Sequence, residues 1–305
     1  MAFRVAVVDH RFPDLEPEAA VLAPLCAAVV DLRGRPEAEV LAEIEQADAI
    51  LVGARLRLDA ARLERLRCRA IVRYGIGVDN VDVEAARARG IAVGFVPDYC
   101  VEEVSTHALA LLLALHRRLC GVETPHPIQR LSTLQLGVVG FGRIGRELAR
   151  KALVLGLAVA AHDPVVPPEA VRAAEVEPLG LDELLSSSDF VSLHVPLTGA
   201  TRHLLDRRGL ALMKPGSILV NVGRGGLVDE AALAEALESG HLAAAGLDVT
   251  EVEPLPPDHR LRSVPNLLLT PHVAWYSTGA QRELQVKAAE EVARALLGEP
   301  LRNPA

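Results

Sequence analysis

The stretch Leu136-Gly-Val-Val-Gly140-Phe-Gly142-Arg-Ile-Gly145 decides the fold of this chain. It joins a short apolar run, typical of a buried strand, to three glycines with the spacing G-x-G-x-x-G, and a helix is predicted to begin at Arg143. Glycines at this spacing allow a tight turn and let a pyrophosphate approach the N-terminus of the helix. The stretch therefore predicts the start of a dinucleotide-binding domain.

A carboxylate follows the next predicted strand, Ala158–His162. This is Asp163, which lies 23 residues after Gly140. The acid that binds the ribose of NAD is expected at a spacing of about 20 residues. A carboxylate at that point accepts hydrogen bonds from both ribose hydroxyls and repels a 2′-phosphate, so Asp163 favours NAD over NADP. The alternative interpretation is a glycine-rich strand–helix turn that binds no ligand.

The rest of the chain alternates between short apolar runs and segments of helical periodicity. Apolar strands separated by helices are typical of parallel sheets that are covered on both faces, which predicts the α/β class. Before residue 97 the predicted strands are Val5–Asp9, Val29–Leu32, Ala49–Gly53, Ala70–Arg73 and Ile91–Phe95. The second series has six predicted strands, namely Leu136–Gly140, Ala158–His162, Phe190–His194, Ser217–Asn221, Ala244–Asp248 and Leu267–Leu269. A long helix, Val101–Leu119, lies between the two series, and a helix at Ala280–Leu297 ends the chain.

Composition excludes several classes of function. The 305 residues carry a formal net charge of −8 and contain five Phe, three Tyr and one Trp, so the chain is poorly suited to bind nucleic acid. The longest apolar run, Ala108–Leu115, is too short to cross a membrane, and the N-terminus resembles a strand rather than a signal peptide. The cysteines form no CxxC pair, which suits a reducing cytoplasm and predicts buried thiols at Cys26, Cys68, Cys100 and Cys120. We expect no metal site.

Polar residues stand where four strands of the second series end, which is where ligands bind in doubly wound sheets. They are His194-Val-Pro196, Asn221-Val-Gly-Arg224-Gly-Gly226, Asp248 and Pro271-His272. Arg224 is suited to bind a carboxylate with two parallel hydrogen bonds, and a surface ion pair is the alternative. Glu253 precedes the His272 strand and is predicted to pair with His272, which would stabilise the charged imidazole and fix its tautomer.

These motifs together resemble the D-isomer-specific 2-hydroxyacid dehydrogenases. The matching segments run from about Ile50 to Leu297 and include Arg73-Tyr-Gly-Ile-Gly-Val-Asp-Asn-Val-Asp82, Val101-Glu-Glu103, the glycine turn, His194-Val-Pro, Asn221-Val-Gly-Arg-Gly, Asp248-Val, Glu253-Pro and Thr270-Pro-His272. Within the family the chain looks most similar to the C-terminal-binding-protein branch of transcriptional co-regulators and bacterial relatives. That similarity depends on Arg73 and on Thr270-Pro-His-Val-Ala-Trp275-Tyr-Ser277.

The resemblance implies two Rossmann-like domains with a cleft between them. Residues 1–97 and 271–305 would form a flavodoxin-like substrate domain, and residues 98–270 an NAD-binding domain. The catalytic residues would be Arg224, Glu253 and His272, and the substrate-binding residues Arg73, Gly75, Ile76, Gly77 and Trp275. The residues expected to contact NAD are Gly140, Gly142, Arg143, Ile144, Gly145, Asp163, His194, Val195, Pro196, Val222, Gly223, Arg224, Asp248 and His272.

The residue types suit an NAD-dependent interconversion of a small 2-keto acid and the D-2-hydroxy acid by hydride transfer. A protonated His272 would donate the proton and Arg224 would hold the substrate carboxylate. The alternatives are a phosphite or phosphoglycerate dehydrogenase of the same family, or an NAD(H)-sensing binding protein with little turnover. The resemblance also implies a homodimer, although the segment 120–134 is shorter than the arm by which family members embrace their partner.

Overall fold

A computed structural model describes residues 3–119, 121, 123 and 126–305. The first of its two units spans Met1–Tyr99 and Ser277–Ala305. Within the described part of this unit, five parallel strands form one sheet in the order β2-β1-β3-β4-β5. They are β1 (Arg4–Val8), β2 (Ala28–Asp31), β3 (Ala49–Val52), β4 (Ala70–Arg73) and β5 (Ala92–Gly94). This strand order is that of flavodoxin-like folds, as predicted.

Helices cover this first sheet. They are α1 (Glu16–Leu22), α2 (Glu37–Ile44), α3 (Ala60–Leu63), α4 (Val83–Ala88) and the C-terminal helix Thr278–Leu296. The C-terminal helix packs on α1, β3 and β4, although about two hundred residues of chain separate them. Buried Ile, Leu and Val side chains fill the space between sheet and helices, including Ile44, Ile50, Leu63 and Ile71.

Local capping explains where the short helices of this unit begin. The side chain of Asp59 accepts a hydrogen bond from the Arg62 amide, and that of Asp82 accepts one from the Ala85 amide, both at 3.0 Å. Each aspartate thus satisfies an N–H that the first turn leaves without an intrahelical acceptor. The prediction of a buried Cys26 is wrong, because Cys26 ends a short 3₁₀ turn with φ +52° at the surface. Cys68 and Cys100 are buried, and Cys120 lies outside the described residues.

The second unit spans Cys100–Tyr276. Residues 271–276 therefore group with this unit, whereas the sequence analysis assigned them to the first domain. Its parallel sheet has the order β12-β11-β10-β9-β6-β7-β8 within the described residues. The strands are β6 (Gln135–Val139), β7 (Ala158–His162), β8 (Glu177–Pro178), β9 (Phe190–Leu193), β10 (Ile218–Asn221), β11 (Ala244–Leu247) and β12 (Leu267–Leu269). Starting from β8, this is the 3-2-1-4-5-6 order of a dinucleotide-binding sheet with one further strand at the far edge.

The prediction of six strands in this sheet missed β8. Glu177–Pro178 has only two residues, too few to show periodicity, and its proline is tolerated because β8 is an edge strand. The helices of the unit are α5 (Val101–His116), α6 (Arg143–Val154), α7 (Pro168–Arg172), α8 (Leu181–Ser187), α9 (Arg207–Leu212) and α10 (Glu230–Glu238). Helix α5 ends three residues before the predicted Leu119. Within the described residues, no helix combines the length and the apolar character needed to span a membrane.

Candidate active site

The glycine turn between β6 and α6 is built for close backbone contact. Gly140 has φ +96°, and a Cβ at that position would lie 2.7 Å from the His194 carbonyl. A Cβ on Gly145 would overlap the carbonyl oxygen of Gly140. A Cβ on Gly142 would meet nothing within 4 Å, so the backbone at the N-terminus of α6 is open on that side. The first amides of α6 have no intrahelical acceptor and are available to an anion.

Asp163 fastens this turn to the end of β7. Its Oδ2 atom accepts a hydrogen bond from the Phe141 amide at 2.8 Å, and its Oδ1 atom accepts from the amides of Val165 and Val166 at 2.8 and 3.2 Å. The carboxylate is therefore held at the edge of the turn, next to the first glycine. The sequence predicted an acid at this point, but its role in ordering the two loops is visible only in the structure.

His194 follows β9, beside the glycine turn. Its Nε2 atom lies 2.8 Å from the Ser192 hydroxyl. Burial lowers the pKa of His194 to about 4, so the ring is neutral at physiological pH. The next residues are half-buried Val195 and exposed Pro196.

The loop after β10 holds Arg224. The Asn221 side chain orders this loop through two hydrogen bonds. Its Nδ2 donates to the Arg224 carbonyl at 2.8 Å, and its Oδ1 accepts from the Gly223 amide at 3.0 Å. The guanidinium of Arg224 donates to the Gly223 carbonyl at 2.8 Å and is half-buried. Val222, in the same loop, is buried. The loop therefore presents a cation from an ordered backbone at the carboxyl edge of the sheet.

Glu253 and His272 form a hydrogen-bonded pair, with 2.6 Å between Glu253 Oε2 and His272 Nδ1. Burial alone would raise the pKa of Glu253, but the His272 hydrogen bond and charge, the Thr250 amide and the Arg224 charge together lower it. Both side chains remain about a third exposed. Because Nδ1 faces the carboxylate, Nε2 is the ring atom left to exchange a proton with a substrate.

Asp248 fixes the backbone on either side of His272, a role that the sequence did not indicate. This aspartate is buried, and it accepts hydrogen bonds from the amides of Val273 and Ala274 at 2.9 Å each. It also accepts from the Thr270 hydroxyl at 2.6 Å. The backbone carbonyl of Asp248 accepts from the His272 amide at 2.8 Å. His272 itself has φ +54°, and these bonds hold it in that conformation.

His107 on α5, a residue that the sequence did not indicate, supports this arrangement. Its Nε2 atom lies 3.0 Å from the Thr270 hydroxyl oxygen. Since Thr270 donates its proton to Asp248, its oxygen accepts from His107. The chain of bonds runs from His107 through Thr270 and Asp248 to the backbone beside His272. No sequence signal identified His107, because its partner lies 163 residues away along the chain.

In the first unit, Arg73 ends β4 and its guanidinium bonds the Tyr74 carbonyl. Gly75 has φ +131°, a backbone conformation that favours glycine, and a Cβ there would displace the Arg73 guanidinium. Ile76 and Gly77 follow and are half-buried. The Tyr74 hydroxyl donates to the fully buried Glu18 at 2.6 Å, and Gln285 donates to Glu18 at 2.9 Å. This buried network, which the sequence did not suggest, anchors the start of the Gly75–Gly77 loop.

Trp275 lies three residues after His272, in the second unit. Its ring packs edge-on against Tyr276, with 5.6 Å between the ring centroids. Trp275 is half-buried and Tyr276 is about half exposed. The aromatic pair directly follows the segment 272–274, whose amides bond Asp248.

Comparison with known protein families gives a match within the second unit. Residues 109–274, more than half of the chain, match the family model described as "D-isomer specific 2-hydroxyacid dehydrogenase, NAD binding domain". The chain belongs to the D-isomer-specific 2-hydroxyacid dehydrogenase family. Its second unit is the NAD-binding domain of that family.

Three relatives of this family member illustrate the range of the similarity. The (S)-sulfolactate dehydrogenase of Chromohalobacter salexigens is 41% identical over 296 residues, which cover 93% of this chain and 94% of the relative. The D-3-phosphoglycerate dehydrogenase of Mycobacterium tuberculosis is 41% identical over 272 residues, 86% of this chain, and the chain spans only 51% of its length. A crystal structure of the TT0316 protein from Thermus thermophilus is 37% identical, with a TM-score of 0.87 and coverage of 99% of both chains.

The residues of the second unit fit an NAD molecule. The glycine turn leaves open backbone at the N-terminus of α6, where a pyrophosphate binds, and Asp163 stands at the end of the neighbouring strand. Both features concern the backbone and a single carboxylate, which is why the sequence alone predicted them.

Proposed function

We propose that this protein is an NAD-dependent oxidoreductase that interconverts a small 2-keto acid and the D-2-hydroxy acid. The observation that carries the proposal is the 2.6 Å hydrogen bond between His272 and Glu253. Glu253 follows β11 and His272 follows β12, and both strands belong to the sheet from which the glycine turn and the Arg224 loop also extend. An acid–base pair, a carboxylate-binding cation and a dinucleotide cradle at one sheet edge are the parts that this reaction requires.

His272 is the proposed acid and base. The glycine turn and Asp163 would hold the dinucleotide, which would supply or take up the hydride at C2 of the acid. In the reductive direction the imidazolium donates its Nε2 proton to the keto oxygen, and in the oxidative direction the neutral ring removes the hydroxyl proton from the same position. The Asp248 and His107 network holds the His272 backbone, so that the ring loses little entropy when it reacts.

Glu253 is the proposed partner of His272. Its lowered pKa keeps it negative, which stabilises the imidazolium and keeps the proton of Nδ1 directed at the carboxylate. Arg224 is the proposed clamp for the substrate carboxylate. Its planar guanidinium binds a carboxylate in one orientation through two parallel hydrogen bonds, whereas a lysine would leave the acid free to rotate.

Two relatives favour a more specific substrate, a 2-hydroxy acid with a second anionic group. Their names specify sulfolactate and 3-phosphoglycerate, whose far ends are a sulfonate and a phosphate. In the first unit, Arg73 supplies a further cation at the end of β4. We infer that Arg73, the Gly75–Gly77 amides and Trp275 contribute to substrate binding and that they select among these acids.

A panel of substrates tests the function directly. NADH oxidation is followed with glyoxylate, pyruvate, hydroxypyruvate, 3-sulfopyruvate and phosphohydroxypyruvate, and NAD reduction is followed with the matching D-hydroxy acids and with phosphite. We expect turnover of at least one keto acid, with the highest kcat/KM for an acid that carries a second anion. Tight NADH binding without turnover of any of these would contradict the proposal and support the NAD(H)-sensing alternative. The closer similarity to the C-terminal-binding-protein branch stays a prediction.

We further propose a cytoplasmic homodimer, on the basis of the family resemblance and the widely spaced thiols. The short segment 120–134, four of whose residues lie outside the described part of the chain, is the feature that argues against the dimer. Light scattering coupled to size-exclusion chromatography decides between a mass of 32.6 kDa and twice that value.

A further inference from the structure

A buried carboxylate on α10 holds the loop that carries Glu253. Glu230 is the first residue of α10 and is only 9% exposed, although glutamate is seldom buried without a partner. Its Oε1 atom accepts a hydrogen bond of 2.7 Å from the backbone amide of Glu251. This bond ties the helix to the loop that follows β11.

The peptide that Glu230 holds is also pressed against the Arg224 loop. A Cβ on Gly225 would overlap the Thr250 carbonyl group and the Glu251 nitrogen, so the Thr250–Glu251 peptide lies directly on the Gly225 backbone. Gly225 follows Arg224 in the chain, and Glu251 precedes Glu253 by two residues. One peptide group therefore links the cation of the site to the acid–base pair, and Glu230 holds that peptide through its N–H.

His259 contacts Glu230 at the far end of the same loop. The amide of Leu261 donates to His259 Nδ1 at 3.3 Å, so the ring proton of the neutral imidazole is on Nε2. His259 Nε2 lies 3.4 Å from Glu230 Oε2. Glu230 therefore contacts the loop both before and after Glu253.

The charges around Glu230 make it a costly residue to bury. Burial raises its pKa, the Glu251 amide and the neighbouring His259 lower it, and the Glu251 and Glu253 carboxylates raise it again, with a net rise. The Glu251 side chain is in turn paired with His203 at 2.7 Å. An apolar residue would fill this position without such a cost, so the carboxylate is explained better by the peptide that it holds than by stability.

We propose that Glu230 is a positioning residue, which sets Glu253 against His272 and fixes both relative to Arg224 by holding the Thr250–Glu251 peptide. The proposal rests on the proposed function for its effect on rate, whereas the geometry that it predicts is independent of turnover.

The kinetic test uses Glu230→Ala, Glu230→Asp and Glu230→Gln. The alanine variant removes the acceptor and the aspartate variant withdraws it by one methylene, so kcat should fall by roughly 10²-fold in both, as expected for a misplacement of about 1 Å. KM for the keto acid and the NADH Kd should change far less, because Glu230 is not one of the residues proposed to contact the acid or NAD. The glutamine variant keeps an oxygen that accepts from the Glu251 amide and should restore most of the rate. Glu238, at the other end of α10, forms a surface ion pair with Arg260, and Glu238→Ala is the matched control that should keep the wild-type kcat.

The second test does not require turnover. In the protonated wild-type protein, the His272 Nδ1 proton shared with Glu253 should give a strongly downfield ¹H NMR resonance, assigned by its loss in His272→Gln. We expect the resonance to persist in Glu230→Gln and Glu238→Ala and to disappear in Glu230→Ala and Glu230→Asp. If the wild type turns over no acid, the proposed function fails while the resonance still decides the positioning role. A folded Glu230→Asp protein with full kcat or an intact resonance would overturn the proposal, even if the alanine variant does not fold.

Discussion

His272 Nδ1 lies 2.6 Å from Glu253 Oε2, although nineteen positions separate the two residues along the chain. The loop that carries Glu253 leaves β11, and His272 follows β12, the strand paired with it. Neighbouring strands thus bring an acid and a base together, and the buried Asp248 fixes the backbone around the base. The consequences of this arrangement can be measured at each residue of the site.

Removal of the proposed proton donor should abolish turnover without loss of the cofactor. In His272→Ala we expect kcat to fall by roughly 10²- to 10⁴-fold, the range that general acid–base catalysis contributes, while the NADH Kd stays close to wild type. Steady-state kinetics and NADH fluorescence titration measure the two quantities. His241→Ala is the control, since His241 bonds the Leu210 carbonyl elsewhere in the same unit. Near-normal kcat in His272→Ala would remove His272 from this role.

The Glu253→Gln variant should move the pH profile in a defined direction. Glu253 has a lowered pKa, so it is ionised from mildly acidic pH upward and supports the imidazolium throughout that range. An amide cannot supply this charge, so His272 should lose its proton at lower pH. We expect the alkaline limb of keto-acid reduction and the acid limb of hydroxy-acid oxidation both to move to lower pH. Profiles of kcat/KM in both directions measure this, and unchanged limbs would show that Glu253 does not support the charge.

Asp163 should determine the choice of cofactor. A 2′-phosphate would face this carboxylate, and the neighbouring residues His162 and Pro164 provide no compensating arginine. The wild type should therefore have a higher kcat/KM with NADH than with NADPH. Asp163→Ser should bring the two kcat/KM values closer together. The variant should also melt at a lower temperature, because the Phe141 amide loses its acceptor. Asp182→Ser, which breaks a surface ion pair with Arg208, controls for loss of charge alone. An equal or better kcat/KM with NADPH in the wild type would contradict the assignment.

Arg73 should affect substrate binding more than the chemical step. A cation that binds the acid equally in the ground state and the transition state changes KM and leaves kcat almost unaltered. We therefore expect Arg73→Ala to raise KM for keto acids, and to raise it most for those with a second anionic group. Arg87→Ala, which removes an exposed ion pair with Glu84, is the control in the same unit. A KM that does not move would make Arg73 a structural residue.

Protonation of His194 should lower the free energy of unfolding at acidic pH. Its pKa is about 4 when folded and about 6.5 in an unfolded chain, so the unfolded state binds the proton more readily between these values. The free energy of unfolding should therefore fall as the pH drops through this window, by about 1.4 kcal/mol per pH unit from this residue. Urea unfolding at pH 7 and pH 5 measures the change. His194→Asn should lose less stability than the wild type over the same interval, and an equal loss would show that His194 is not responsible.

The sequence by itself determined the elements that depend on neighbouring residues. Alternation of apolar runs with helical segments predicted both sheets, and the glycine spacing after β6 predicted the cradle and its carboxylate at Asp163. Aspartates at helix starts, such as Asp59 and Asp82, acted as the predicted caps because capping is a contact within one turn. Parallel strands also end at a common edge, so polar residues after them could be assigned to one site before any contact was known.

Only the tertiary structure decided which side chains support that site. His107, Thr270 and Asp248 come from a helix and two strand ends far apart in the chain, and Glu230 reaches a loop twenty-one residues away. No periodicity or spacing encodes such partners, because each side chain is selected by what lies across from it after folding. The edge strand β8 was missed for a related reason, since two residues pair with β7 only where the rest of the sheet already presents an edge. Local pattern thus determined the framework and its catalytic candidates, whereas long-range packing determined what holds them in place.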